Sequence, residues 1–90
     1  MIRRKLQFYG RVQGVGFRHT AINTASRLGL TGWVRNERDG SVSMEVQGLD
    51  VAIDRLIETI KNARYISVDR IAAADIPLVD KEDGFTVKWI

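Results

Sequence analysis

The sequence predicts an α+β sandwich, with two helices on one face of an antiparallel sheet. The order is β-α-β-β-α-β, with an extra short strand at the C-terminus. Three observations carry this reading. Apolar and polar residues alternate with period two at 4–10, 30–36, 41–47 and 85–89. Between those runs, apolar residues recur at helical spacing over 17–28 and 53–60. Glycines and Asp-Gly pairs then stand where one element must give way to the next.

Taken in order, residues 4–10 put Leu6 and Phe8 on one side and Lys5, Gln7 and Tyr9 on the other, and Gly10 ends the strand. After a glycine-rich link, Phe17, Ala21, Thr24, Ala25 and Leu28 form one apolar helical stripe, with Gly29 as the stop. His19 and Asn23 lie off that stripe, and His19 is read as exposed structure. Residues 30–36 set Leu30, Gly32, Val34 and Asn36 on one side and Trp33 and Arg35 on the other. Asp39-Gly40 is a hairpin signal. In the strand at 41–47, Val42, Met44 and Val46 go inward while Ser41, Ser43, Glu45 and Gln47 are expected outward and exposed. Ile53, Leu56, Ile57 and Ile60 mark the second helix, with Asp50 placed as its cap. Residues 66–76 are extended up to Pro77, and Asp83-Gly84 precedes the last strand, with Phe85, Val87 and Trp89. This is the ferredoxin-like arrangement.

The 90 residues, 44% of them hydrophobic, can close one small core, so a single domain over 1–90 is expected. The absence of cysteine removes disulfides and thiol nucleophiles from consideration. One histidine and scattered carboxylates give no metal-ligand spacing, and no cofactor is expected. No signal peptide or membrane span is read, so a cytoplasmic, soluble monomer is the plain expectation. A net charge of +3 would draw small anions, and by itself it would equally suit nucleic acid or solubility.

The chemistry-bearing stretch is residues 9–18, Tyr-Gly-Arg-Val-Gln-Gly-Val-Gly-Phe-Arg. A glycine-rich turn from strand to helix leaves backbone N–H groups uncovered, and the helix start adds partial positive charge. Such amides form a concavity suited to an anion, and Arg18 at its rim can grip two phosphate oxygens. The spacing of Gly10, Gly14 and Gly16 fits neither the dinucleotide fingerprint nor the nucleotide P-loop. Pattern alone leaves two readings open. One is a phosphate cradle made of Gln13, Gly14, Val15, Gly16, Phe17 and Arg18; the other is a tight turn with a solvated arginine.

Gly-Arg-Val-Gln-Gly-Val-Gly-Phe-Arg at 10–18, then Gly-Trp-Val-Arg-Asn at 32–36 and Asp-Gly at 39–40, resembles the acylphosphatase family over nearly the whole chain. The resemblance implies a small enzyme that hydrolyses the carboxyl–phosphate bond of acyl phosphates. It implies Arg18 as the phosphate-binding arginine and Asn36 as the water-positioning asparagine, with inorganic phosphate or sulfate as competing anions. The chain departs from the pattern after residue 62, where many members carry Gly-Pro and this sequence has Asn62-Ala63-Arg64-Tyr65. That departure bears on substrate preference and loop shape.

Topology supports a meeting of the two residues. The first two strands of a split β-α-β unit run parallel, so Arg18 and Asn36 follow or occupy strand ends at the same edge of the sheet. Asn36 taken alone reads equally as an ordinary hairpin-flanking residue. An RNA-binding module of the same element order is the alternative, but the strand at 41–47 offers no aromatic for base stacking. A catalytically weak accessory domain is a third reading, which the end of the chain at Ile90 disfavours.

Overall fold

A computed structural model describes residues 1–89. Its elements are β1 (Ile2–Arg11), α1 (Phe17–Arg27), β2 (Thr31–Asn36), β3 (Val42–Gly48), α2 (Asp50–Lys61), β4 (Ser67–Ile76) and β5 (Phe85–Val87). The strands lie side by side as β4-β1-β3-β2-β5. Because β3 is antiparallel to both β1 and β2, those two strands are parallel to each other. β5 pairs parallel with β2, so the sheet is mixed where a purely antiparallel one was expected. The cause lies in the connection. β4 runs opposite to β1, so a chain that crosses the sheet from the end of β4 re-enters in the direction of β1 and β2.

Other boundaries differ in small ways. β1 extends beyond 4–10 and carries a register shift between Tyr9 and Gly10 instead of ending there. Leu30 donates its N–H to Ala25 O at 2.9 Å, which closes α1 and delays β2 to Thr31. Asp50 is the first residue of α2, and Leu49 is the cap. The Asp50 carboxylate accepts from the Val51 N–H at 2.8 Å, a favourable place for negative charge beside a helix N-terminus.

The inner sheet face and the two helices form the core. Phe17, Ala21 and Ala25 of α1 and Ile53, Leu56 and Ile60 of α2 bury against Leu6, Phe8, Val34, Val42, Met44 and Val46. These are the residues that helical and strand periodicity assign inward.

The outer face is less open than expected. Ser41, Ser43 and Gln47 point outward, yet they are buried. Ser41 is held by Gln7 and Asp39, and Ser43 donates to the Glu37 carboxylate. The segment between β4 and β5 has to cross this face to reach the far edge, and it roofs one end. Val79 N–H donates to Gln47 Oε1 at 2.9 Å, and Gln47 Nε2 donates to Val79 O at 3.1 Å. Beneath it Arg3, only 2% exposed, reaches Glu82 at 2.8 Å and Glu45 at 3.0 Å.

The Arg3 guanidinium holds the Glu82 carboxyl below the usual carboxylate range, against the opposing effect of burial. A carboxyl depressed by folding contributes fully above its unfolded pKa, and that contribution is lost as pH falls through the folded value. Ser43 and Arg35 depress Glu37 in the same direction. The thermal midpoint is therefore expected to be level above about pH 5 and to fall below about pH 4. Glu82→Gln should cost about 2 kcal/mol at neutral pH, by leaving Arg3 under-paired, and should flatten the acid limb. Calorimetry of both proteins from pH 3 to 8 checks this; parallel curves would remove Glu82 from the acid response.

Candidate active site

The link between β1 and α1 is fixed at its far end by aromatic packing. The rings of Phe8 and Phe17 meet edge to face, with centroids 4.9 Å apart and planes at 65°. Such a pair contributes about 1 kcal/mol beyond its buried area and sets where α1 starts. Just before Phe17, Gly14 has φ 71° and Gly16 has φ 82°. A Cβ added at either would meet nothing within 4 Å, so these glycines supply backbone conformation and not space. Gly16 is the N-cap of α1 and offers no side chain to the helix, and no acid stands in the first turn. Thr20 N–H donates to Gly16 O at 3.0 Å. Among the described residues, no backbone hydrogen bond takes up the N–H groups from Gly14 to His19.

The expected loop member Gln13 acts through its side chain. Its Nε2 donates to Glu37 O at 2.7 Å and to Ser41 O at 2.9 Å. Both acceptors lie in the β2–β3 hairpin, immediately beyond Asn36. Gln13 thus ties the glycine loop to the turn that carries Asn36, which nothing in the linear pattern signals. Gln13→Ala should cost about 1–2 kcal/mol in stability for two lost bonds to backbone carbonyls. It should also lower kcat/KM about tenfold, because a small misalignment of paired groups is expensive. A variant with lowered thermal midpoint and unchanged kcat/KM would restrict Gln13 to stability.

Arg18 and Asn36 open onto one cleft of about 350 Å³, together with Gly14, Gly16, His19 and Trp89. The pleat accounts for Asn36: it shares a face with Val34, which is fully buried under the helices, and so emerges at the strand end toward the loop. Its Oδ1 is buried, with no hydrogen-bond partner among the described residues. Such an atom carries a desolvation penalty of about 1–3 kcal/mol. The Arg18 guanidinium carbon lies 4.8 Å from the centroid of the Trp89 ring. Trp89 is 77% exposed, so its ring serves as a shelf for the guanidinium and not as core. The expected last strand included Trp89, but β5 ends at Val87 and leaves Trp89 beyond it. His19 is exposed as expected, yet it lines this cleft, with Nε2 3.0 Å from Asn23 Nδ2.

Among the described residues no Asp or Glu lines the cleft, while Arg18, His19 and a helix N-terminus without a side-chain cap do. The charge character is that of a small-anion site. A larger cleft of about 620 Å³ on the outer face is lined by Lys5, Arg35, Arg38, Glu37 and Asp39 among others. It has mixed charge, with Arg35 already bound to Glu37 at 2.8 Å, and no residue from Gly14 to Arg18 lines it. Among the described residues, no group of three or more His, Cys, Asp or Glu could hold a metal ion. No described helix is long and apolar enough to cross a membrane.

Residues 4–87 match the family model described as Acylphosphatase. An acylphosphatase of Bifidobacterium longum is 43% identical over 82 residues, spanning 90% of this chain and 84% of its own length. One from Clostridium beijerinckii is 40% identical over 90 residues, spanning 99% and 100%. The crystal structure of an acylphosphatase from Bacillus subtilis superposes with a TM-score of 0.89 at 30% identity, covering 98% of this chain and 99% of that one. Sequence and fold therefore agree over almost the full length, and the chain belongs to the acylphosphatase family.

Proposed function

We propose that the protein hydrolyses acyl phosphates to a carboxylate and inorganic phosphate by direct attack of water on phosphorus. One observation carries the reading. A glycine loop with unclaimed amides, a stacked arginine and an asparagine share one cleft that no Asp or Glu lines among the described residues. The amides from Gly14 to Arg18 and the Arg18 guanidinium hold the phosphoryl oxygens and neutralise charge as it develops. The Asn36 side-chain amide, through its carbonyl oxygen or its NH₂ group, holds the attacking water in line. The water oxygen bonds to phosphorus as the bond from phosphorus to the acyl oxygen breaks. The electron pair of that bond leaves on the carboxylate, and the water proton passes to solvent. A carboxylate leaves readily, so no general acid is needed. Neither Arg18 nor Asn36 is a covalent nucleophile.

A nucleic-acid role has little to stand on. β3 presents Ser43, Glu45 and Gln47 outward, and the segment around Val79 and Glu82 covers one end of that face. The test is phosphate release from acetyl or benzoyl phosphate by purified protein, with and without chelator. Turnover should be unaffected by chelator and competitively inhibited by inorganic phosphate or sulfate. Chelator inhibition reversed by a divalent ion, or absence of turnover, would contradict the reading.

A further inference from the structure

The glycine loop has a second side. Gly14 and Gly16, which line the cleft of Arg18 and Asn36, also line another of about 590 Å³ that includes Arg11, Arg64 and Tyr65. The two clefts share Gly14 and Gly16, neither of which has a side chain, while Val15 between them lines only the second. Strand pairing brings Arg11 there, because it lies opposite Ser67 at the start of β4. Arg64 comes from the segment at 62–65, where the sequence departs from the family's pattern. Buried Ile66 anchors that turn, and its N–H donates to Ala63 O at 3.3 Å. The Arg64 guanidinium carbon is 5.5 Å from the Tyr65 ring centroid. Tyr65 is 69% exposed and therefore contributes little to the core. Its ring is placed to steady the guanidinium.

Among the described residues, neither Arg11 nor Arg64 forms an ion pair. Among the described residues, no Asp or Glu lines this second cleft. Two guanidinium groups without an ion pair among the described residues line one cleft, and an anion there could accept charge-assisted hydrogen bonds from both. We infer that this cleft is an acyl-group subsite selecting acyl phosphates whose far end bears a second anionic group, with Arg64 and Arg11 as its ligands. The inference rests on the acyl phosphate reading above. The phosphoryl end occupies the loop cradle while the tail crosses the Gly14–Gly16 saddle. A short neutral acyl group such as acetyl leaves the two arginines untouched.

The probes are two phosphonates of equal chain length, butylphosphonate and 4-phosphonobutanoate, used as inhibitors of acetyl phosphate hydrolysis and as ligands in calorimetric titration. In the native protein the carboxylate-bearing compound should bind about tenfold more tightly, on the scale of one charge-assisted contact. Arg64→Gln and Arg11→Gln should each shrink that preference several-fold, and the double variant should abolish it. Acetyl phosphate kcat and KM should stay unchanged in all three. Equal affinity of the two phosphonates for the native protein would overturn the subsite, as would equal losses for both in the variants. If acetyl phosphate is not hydrolysed, the proposed activity fails, while the titrations still decide whether the second cleft prefers the carboxylate.

Discussion

Arg18→Ala should lower kcat/KM for acetyl phosphate by about a thousandfold or more, and should weaken inhibition by inorganic phosphate in parallel. Arg18 is the only full positive charge assigned to the phosphoryl group, in a cleft that no Asp or Glu lines among the described residues. Removing a charged group aimed at developing phosphoryl charge has effects of about this size. The residue also stands in the first turn of α1, which no acid accompanies. A cation there opposes the helix dipole, so without bound anion the alanine variant should be as stable as the parent or slightly more so. Arg18→Lys should restore little. An ammonium keeps the charge but lacks the planar fork that matches two phosphate oxygens, and the stacking on Trp89 at 4.8 Å depends on that plane. Initial rates, phosphate inhibition constants and thermal midpoints of the three proteins check this. Near-native turnover in Arg18→Lys would reduce the role to charge alone.

Asn36→Ala should separate chemistry from binding. kcat is expected to fall by about a hundredfold, the scale for losing one positioning contact in the transition state, while the phosphate inhibition constant changes little. Stability should move the opposite way. Oδ1 is buried without a partner among the described residues, so truncation removes a desolvation penalty and should raise stability by up to about 1 kcal/mol. A merely structural asparagine at a hairpin would give the reverse pattern, with stability lost and kcat kept. If phosphate affinity collapsed together with kcat, Asn36 would be a ligand of the phosphoryl group and the water would need another guide.

Much of this arrangement is legible before any coordinates. Period-two alternation assigns Leu6, Phe8, Val42, Met44 and Val46 to the core, and all five are buried. The spacing of glycines, the helix start and the parallel direction of β1 and β2 suffice to bring Arg18 and Asn36 to one sheet edge. What was not legible depends on long-range cover. Alternation says which face Ser43 and Gln47 occupy, but not that the chain between β4 and β5 returns over it. Nothing local marks Arg3 for burial, because its partners Glu45 and Glu82 lie 42 and 79 residues away. The Gln13 clamp and the Trp89 shelf escape notice for the same reason: each joins segments that no local pattern connects.

The central claim is that water attacks phosphorus while the acyl carbon is left untouched. It is tested most directly by hydrolysing benzoyl phosphate in ¹⁸O-labelled water under single-turnover conditions and weighing both products. The account predicts one labelled oxygen in the inorganic phosphate and none in the benzoate, at a rate that Asn36→Ala lowers. Label in the benzoate would mean attack at the carbonyl carbon and would contradict the roles given to Asn36 and the glycine loop.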